Sequence, residues 1–313
     1  MCTAIRFNDR LFGRTFDFER SFGEEIVVTP RGGMRIGEAE NRYAIMGVGI
    51  KNGGTPLYFD GINEWGLSLA ALNFPGFAVY HQPDRGKVGL PSAHLISTLL
   101  GFCRSVAEAK GMLKNIAITP DSASIGQGAT PLHWMASDQR EAIVIESVAE
   151  GLRVQENKVG VLTNSPGFSY HLTRLDDYSS LSVRNSEAQS QSAYSRGTGA
   201  IGLPGDYSST SRFVRAAFLC KNCSVDPDGG MDSIGLAFDI LGSVSIPRGA
   251  VITEEDLPAF TRYTAVMDME NTAYYLTTAS CRTVSRLRLT DSLAEACGIS
   301  TAEIYKEQII CDL

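Results

Sequence analysis

The pattern of apolar and polar positions predicts a β-rich first third of the chain. Two short apolar runs, Ala4–Phe7 and Leu11–Phe18, flank the turn residues Asn8-Asp9-Arg10 and predict a hairpin at the start. More short apolar runs, separated by glycines and other turn residues, predict further strands. These strands are expected at Glu25–Thr29, Tyr43–Ile50, Leu57–Phe59 and Gly66–Leu72.

Apolar residues spaced three and four apart predict helices in the next part of the chain. One helix is expected over Ser92–Gly101. A second is expected to start at Ser105, because Glu108 follows at the spacing of a capping box, and its apolar face extends as far as Ile116. Strands then return at Leu132–Ser137, Ala142–Val148, Leu152–Gln155 and Gly160–Thr163.

The second half of the chain combines three helices with a last group of strands. The helices are predicted at Tyr170–Tyr178, Arg212–Lys221 and Met231–Gly242. A hairpin, a strand and a terminal helix follow at Arg262–Met269, Ala273–Ser280, Val284–Leu289 and from Asp291. Strands and helices thus come in groups, without the alternating βαβ units of a doubly wound sheet. The predicted class is α+β, with two mostly antiparallel sheets sandwiched between pairs of helices.

Composition narrows the class of protein. The chain has 313 residues, of which 43% are hydrophobic and 20% charged, as in an ordinary globular protein. With a net charge of −7 and a pI near 5.2, no nucleic-acid partner is expected. No apolar run reaches the roughly 18–20 residues of a membrane helix, and none at the start fits a signal peptide. A cytoplasmic protein without a membrane segment is therefore expected.

The seven cysteines are odd in number and scattered, which favours reduced thiols over a disulfide framework. They are Cys2, Cys103, Cys220, Cys223, Cys281, Cys297 and Cys311. The pair Cys220 and Cys223 has the spacing of half a zinc site but no second pair, so two thiols near a helix end are expected. The four histidines show no metal spacing, and no metal or cofactor is expected.

Cys2 is the most informative position for chemistry. Removal of Met1 would leave a cysteine with a free amine. In model peptides a cysteine thiol has a pKa of about 8.5 and an α-amino group one of about 7.7–8.0, so the two groups can exchange a proton near neutral pH. One residue would then supply both a nucleophile and the base that takes its proton. A Cys–His dyad with His171 is a further possibility, although a cysteine that carries its own base does not require it.

Arg14 and Asp17 are the candidate partners of Cys2 on the facing strand. A carboxylate can hold the amine, and a cation favours thiolate over thiol. In a regular strand, however, the two side chains point to opposite faces. A two-residue turn places Asp17 on the face of Cys2, whereas a three-residue turn favours Arg14. Both residues can reach Cys2 only through a bulge or at a strand end.

Six stretches in a fixed order resemble the choloylglycine hydrolase family, the N-terminal nucleophile amidases that include bile salt hydrolases and penicillin V acylases. The stretches are Met1–Thr3, Phe12–Asp17, Asp60–Leu67, Ala71–Gly76, Val161–Pro166 and the segment from Ala193 through Leu203-Pro204-Gly205-Asp206 to Phe213. The resemblance implies one Ntn-hydrolase domain over residues 1–313, with a four-layer αββα sandwich. It implies the catalytic residues Cys2 (nucleophile), Arg14 and Asp17 (beside it), Asn73 and Asn164 (oxyanion site) and Arg212.

The resemblance also directs the choice of substrate. Asn73 resembles the bile salt hydrolase version of its motif, where penicillin V acylases more often carry tyrosine. We therefore expect hydrolysis of glycine- or taurine-conjugated bile salts. Penicillin V, other N-acyl compounds and a non-catalytic binding role remain as alternatives. A steroid acyl group needs a broad apolar pocket. Its candidate wall, whose members could equally be core residues, is Phe16, Phe18, Phe59 and Leu132.

A Ser-rich stretch, Ser186–Ser195, predicts a polar excursion from the globular body. In the resembling family this region forms an arm that joins subunits. The resemblance therefore implies an arm around residues 186–207 and a homotetramer.

Overall fold

The computed structural model describes residues 1–51, 55–120, 130–185, 197–225 and 232–311. Within these ranges the strands are β1 (Cys2–Phe7), β2 (Leu11–Phe18), β3 (Glu25–Thr29), β4 (Arg35–Ile36), β5 (Ala39–Glu40), β6 (Ile45–Ile50), β7 (Leu57–Asn63), β8 (Ser68–Asn73), β9 (Val88–Pro91), β10 (Ile116–Thr119), β11 (Leu132–Ser137), β12 (Ala142–Val148), β13 (Gly151–Glu156), β14 (Val161–Leu162), β15 (Val251–Ile252), β16 (Pro258–Asp268), β17 (Ala273–Thr278), β18 (Ser285–Arg288) and β19 (Ser300–Glu303). The helices are α1 (Leu95–Phe102), α2 (Val106–Leu113), α3 (Phe168–Asp176), α4 (Ser209–Asn222), α5 (Asp232–Val244) and α6 (Asp291–Ala294).

Two large antiparallel sheets form the centre of the fold. In the described residues, the first sheet runs in the order β14-β1-β2-β16-β17-β18, with β15 paired to β16. The second runs β13-β12-β11-β8-β7-β6-β3-β19. Two small pairs lie outside these sheets: the parallel β9 and β10, and the hairpin of β4 and β5.

Helices cover the outer face of each sheet. Helices α4 and α5 pack on β1, β2 and β16, and α1 packs on β6, β7 and β8 of the other sheet. Gly13 permits the close approach of α5, because a Cβ at this position would come within 2.8 Å of Leu241 Cδ1. The predicted α+β class and αββα sandwich are confirmed.

The apolar core continues from the first sheet into the space between the two sheets. One buried cluster contains residues of both sheets, among them Phe12, Met46, Ile62, Leu72 and Met135. A second buried cluster joins the outer face of the second sheet to α1 and α2. The two buried clusters thus hold the four layers of secondary structure together. The candidate site lies between the two sheets.

One prediction of local structure is wrong. Ile116 is predicted on the apolar face of the helix that starts after Ser105, but that helix ends at Leu113 and Ile116 begins β10. The chain that follows the terminal helix α6 contains a strand, β19, which pairs with β3. The predicted Ser-rich stretch at 186–195 lies outside the described residues. None of the helices in the described part of the chain is long and apolar enough to span a membrane.

Candidate active site

The turn between β1 and β2 decides which side chains share a face with Cys2. It has three residues, two of which, Asn8 and Asp9, adopt the left-handed conformation with φ of 52° and 53°. The resulting register pairs Cys2 with Phe16. Arg14, two residues from Phe16, therefore lies on the same face as Cys2. The open alternative is settled in favour of the three-residue turn.

Asp17 reaches the beginning of β1 through the main chain, because Cys2 lies at the strand end. The Asp17 amide donates to the Met1 carbonyl at 3.0 Å, and the Met1 ammonium donates to the Asp17 carbonyl at 2.6 Å. The buried carboxylate of Asp17 accepts hydrogen bonds from the hydroxyls of Thr15 at 3.0 Å and Thr261 at 2.6 Å. Asp17 is thus held rigidly beside the residue whose nitrogen would become the amino terminus.

Arg212, in the first turn of α4, contacts Cys2 from the helical side. Its Nη1 donates to the Cys2 carbonyl at 2.5 Å and to Thr3 Oγ1 at 2.7 Å, and its Nη2 donates to Asn164 Oδ1 at 2.7 Å. Burial lowers the pKa of the Arg212 guanidinium, while Asp17 and Cys2 oppose this effect. A cation near a helix N-terminus is mildly unfavourable. The hydrogen bonds to Cys2, Thr3 and Asn164 explain why Arg212 nevertheless lies in the first turn of α4.

Asn164 joins the parts of the site. Its Oδ1 accepts from the Cys2 nitrogen at 2.7 Å as well as from Arg212, and its Nδ2 donates to the main-chain carbonyl of Asn73 at 2.8 Å. The main-chain N–H of Asn164 donates to Ser209 Oγ at 2.9 Å. Asn164, on the loop that follows β14, therefore links Cys2 to Asn73, the last residue of β8.

Two histidines support the loop that carries Asn164. His171 shares a 2.8 Å hydrogen bond with the Asn164 carbonyl, and burial lowers the pKa of its imidazole. His133 shares a 2.8 Å hydrogen bond with the Thr163 carbonyl and stacks on Phe74 with ring centroids 4.2 Å apart. The hydrogen bonds of His171 are made to Asn164 and Ser209. Its geometry is that of a loop support, and the Cys–His dyad remains an untested prediction.

Arg14 lies between the two sheets and is completely buried. Its Nη1 donates to the Phe59 carbonyl at 3.1 Å and to Asp60 Oδ2 at 3.3 Å, and its Nε donates to the Thr15 carbonyl at 3.2 Å. Burial acts to lower the pKa of Arg14, but the ionised forms of Cys2 and its other anionic neighbours raise it overall. Arg14 and Arg212 thus place two buried cations near Cys2.

An apolar cavity of about 270 Å³ opens next to this constellation. Its wall includes all four predicted pocket residues, Phe16, Phe18, Phe59 and Leu132, together with Asn73. Phe16 stacks on Phe59 with ring centroids 5.0 Å apart and lies opposite Cys2 in the hairpin. The cavity therefore borders the site along Phe16 and Asn73.

Sequence reasoning missed the residues that hold the predicted ones in place. Asp60 was noted only as part of a family motif, although an acidic side chain within the apolar strand β7 is itself a signal of a buried charge. Thr3 and Ser209, which bind Arg212 and Asn164, carry no such signal. The described residues contain no group of three or more His, Cys, Asp or Glu side chains that could hold a metal.

The fold and the site together define the class of N-terminal nucleophile hydrolases: a four-layer αββα sandwich with Cys2 as the first residue of an inner strand. A model of the linear amide C–N hydrolases of the choloylglycine hydrolase family matches residues 2–300. The chain belongs to this family.

Individual relatives agree with this assignment. The chain is 41% identical over 290 residues, 89% of each chain, to a protein of Lactiplantibacillus plantarum named bile salt hydrolase/transferase. It superposes on a crystal structure of a mutant conjugated bile acid hydrolase from Clostridium perfringens with a TM-score of 0.91, at 34% identity and with complete coverage of both chains. A penicillin V acylase from Agrobacterium tumefaciens shares the fold, with a TM-score of 0.76 and 22% identity over 96% of this chain and 90% of the other.

Proposed function

We propose that this protein hydrolyses the amide bond of glycine- or taurine-conjugated bile salts, with Cys2 as the nucleophile. The observation that carries the proposal is the position of Cys2: it is bound by Asn164 and Arg212 and lies opposite Phe16, which lines an apolar cavity. Such a cavity suits a steroid acyl group, whose carbonyl would then lie near Cys2. The names of the two bile-acid-hydrolysing relatives support the same substrate class.

The proposed mechanism begins with removal of Met1, which converts the Cys2 nitrogen from an amide into an amine. This amine accepts the thiol proton, and the sulfur attacks the substrate carbonyl carbon. Asn164 Oδ1, which accepts from the Cys2 nitrogen at 2.7 Å, would hold the amine, and the resemblance to the family supports a second contact from Asp17. Negative charge develops on the carbonyl oxygen, where Asn73 and Asn164 would donate and where the nearby arginines stabilise charge.

The second half of the reaction returns the proton. As the tetrahedral intermediate collapses, the C–N bond breaks, and the Cys2 ammonium protonates the leaving glycine or taurine nitrogen and becomes an amine again. Water then attacks the thioester carbonyl while the amine accepts a proton from it. The C–S bond breaks, the free bile acid leaves, and the proton returns to the sulfur to restore the thiol. The terminal cysteine supplies nucleophile, base and acid, so the reaction requires no metal or cofactor.

Parallel measurement of product release from glycocholate, taurocholate and penicillin V tests the substrate class. We expect turnover of the two conjugated bile salts, because the cavity wall is mainly apolar. Strong turnover of penicillin V alone would reject the proposal and favour the penicillin V acylase alternative. Turnover confined to other N-acyl compounds would reject it as well. The mass of the intact protein serves as the control, since only chains without Met1 are expected to be active.

We further infer a homotetramer of single-domain chains in the cytoplasm. The resemblance to the family supports one domain over residues 1–313 and an arm around residues 186–207 that joins subunits. Light scattering is expected to give a mass of about four chains. A monomeric mass would contradict the tetramer, and recovery of the protein outside cells would contradict the location.

A further inference from the structure

Three buried side chains behind Arg14 have no role in the mechanism proposed above. They are Asp60 on β7, Tyr263 on β16 and Tyr274 on β17, each at most 1% exposed. Together with Arg14 on β2 they form the Asp60 cluster. Since β7 belongs to one large sheet and the other strands to its partner sheet, the cluster connects the two sheets next to the candidate site.

Asp60 is held by the charge of Arg14 and by hydrogen bonds from the two tyrosines. The Tyr263 hydroxyl donates to Asp60 Oδ2 at 2.5 Å, and the Tyr274 hydroxyl donates to Oδ1. Burial raises the pKa of the Asp60 carboxyl, while Arg14 and both hydroxyls counteract this effect. Hydrogen bonds to a carboxylate are strong, and each Asp60 oxygen accepts one from a tyrosine hydroxyl, so Arg14 shares Oδ2 with Tyr263.

This arrangement leaves the Arg14–Asp60 contact incomplete. Arginine and a carboxylate commonly form two parallel hydrogen bonds, but here a single one joins Nη1 to Oδ2 at 3.3 Å. Among the described residues, the buried Arg14 Nη2 has no hydrogen-bond partner. Arg14 therefore keeps one unpaired donor, and its charge also interacts with Cys2, which lies on the same face of the sheet.

We propose that Asp60, held by Tyr263 and Tyr274, is a positioning residue that fixes Arg14 toward Cys2 and prevents it from closing a two-bond ion pair. The inference rests on the proposed function, because it takes Cys2 as the attacking group. The charged and titratable groups around Cys2 and Arg14 come from five elements. They are Arg14 and Asp17 on β2, Arg212 on α4, Asp60 on β7, Tyr263 on β16 and Tyr274 on β17.

Phenylalanine variants of the two tyrosines test the inference, because they remove only a hydroxyl. In Tyr274→Phe and Tyr263→Phe, Asp60 loses a donor and turns toward Arg14, which weakens the positive field at Cys2. The rate of Cys2 alkylation by iodoacetamide is measured as a function of pH, by mass spectrometry of the Cys2 peptide. The pH at which this rate rises is then expected to be higher than in the unmodified protein. For glycocholate, kcat is expected to fall with KM little changed. Asp60→Asn removes the support of Arg14 and is expected to lower kcat by about 10²-fold.

Tyr305→Phe is the matched control. The Tyr305 hydroxyl donates to the buried Glu24, which also binds Arg262, so the same chemistry occurs there without a contact to Cys2. This variant is expected to lose stability and keep the alkylation profile of the unmodified protein. If Asp60→Asn fails to fold, the two tyrosine variants decide the question.

The readouts separate failure of this inference from failure of the proposed function. The inference would be overturned if the Tyr263 and Tyr274 variants melted at lower temperature but kept the pH dependence of Cys2 alkylation seen in the unmodified protein. The cluster would then be merely structural. If the unmodified protein cleaves no bile salt conjugate, the proposed function fails. A shift of the alkylation profile would still support the positioning role, because alkylation requires no substrate.

Discussion

Replacing Cys2 with alanine is expected to abolish amide hydrolysis, with a fall in kcat of about 10⁴-fold or more, because the attacking atom is lost. Cys2 is completely buried and small, so Cys2→Ala removes one sulfur atom and leaves the hydrogen bonds of its main chain in place. Release of glycine from glycocholate measures the effect. The control is Cys297→Ser, since Cys297 is an exposed thiol outside the site.

A second arm of this experiment leaves the thiol intact and blocks the amine. Protein that retains Met1, or that carries an acetyl group on Cys2, has no free amine to accept the thiol proton. Such protein is expected to be as inactive as Cys2→Ala. Full activity of the blocked form would refute the self-contained base. If the Cys2→Ala variant had the same biological effect as the unmodified protein, the alternative of a non-catalytic binding protein would be favoured instead.

The sequence predicts the strands of the inner sheets well because their signals are local. The bounds of β11 and β12 agree with the predicted Leu132–Ser137 and Ala142–Val148, where apolar runs are separated by a polar turn. The candidate site is predicted for a different reason. Its members lie far apart in the chain, and their resemblance to a known family, rather than periodicity, connects Cys2 with Arg212.

The wrong prediction at Ile116 and the unpredicted strand β19 both arise where tertiary contacts override the local pattern. Ile116 continues the helical spacing of Leu113, yet the chain leaves the helix there so that β10 can pair with β9, a partner that sequence spacing does not reveal. β19 has four exposed residues and no apolar alternation. It forms because it adds to the open edge of β3.

The geometry at Cys2 depends on one feature that the sequence left open. A turn of three residues, with Asn8 and Asp9 both at positive φ, places Arg14 rather than Asp17 on the face of Cys2. Asp17 lies at the strand end, where its main chain pairs with Met1, the residue that precedes Cys2. The sequence could not decide the length of this turn, because asparagine and aspartate are both found in turns of two and of three residues.

Arg212 shows why a charge at the site also contributes to stability. Its guanidinium satisfies three buried acceptors at once: the Cys2 carbonyl, Thr3 Oγ1 and Asn164 Oδ1. A buried acceptor that loses its partner costs about 1–3 kcal/mol. Because the same atoms hold Cys2 and Asn164 in place, the structural and chemical roles of this arginine cannot be separated by simple truncation, and a conservative substitution is required.

Arg212→Lys is expected to reduce kcat/KM by about 10²–10³-fold, because one ammonium group cannot reproduce the planar fork that joins Cys2 to Asn164. Arg215→Lys is the matched control on the same helix. Arg215 is buried and donates to the Ser243 carbonyl at 2.8 Å and to the carbonyl of Pro204 at 2.5 Å, away from Cys2. Both variants are expected to unfold at lower denaturant concentration, but only Arg212→Lys is expected to lose activity. If the two variants lost activity in proportion to their loss of stability, Arg212 would act on the fold alone and its assignment to the site would be wrong.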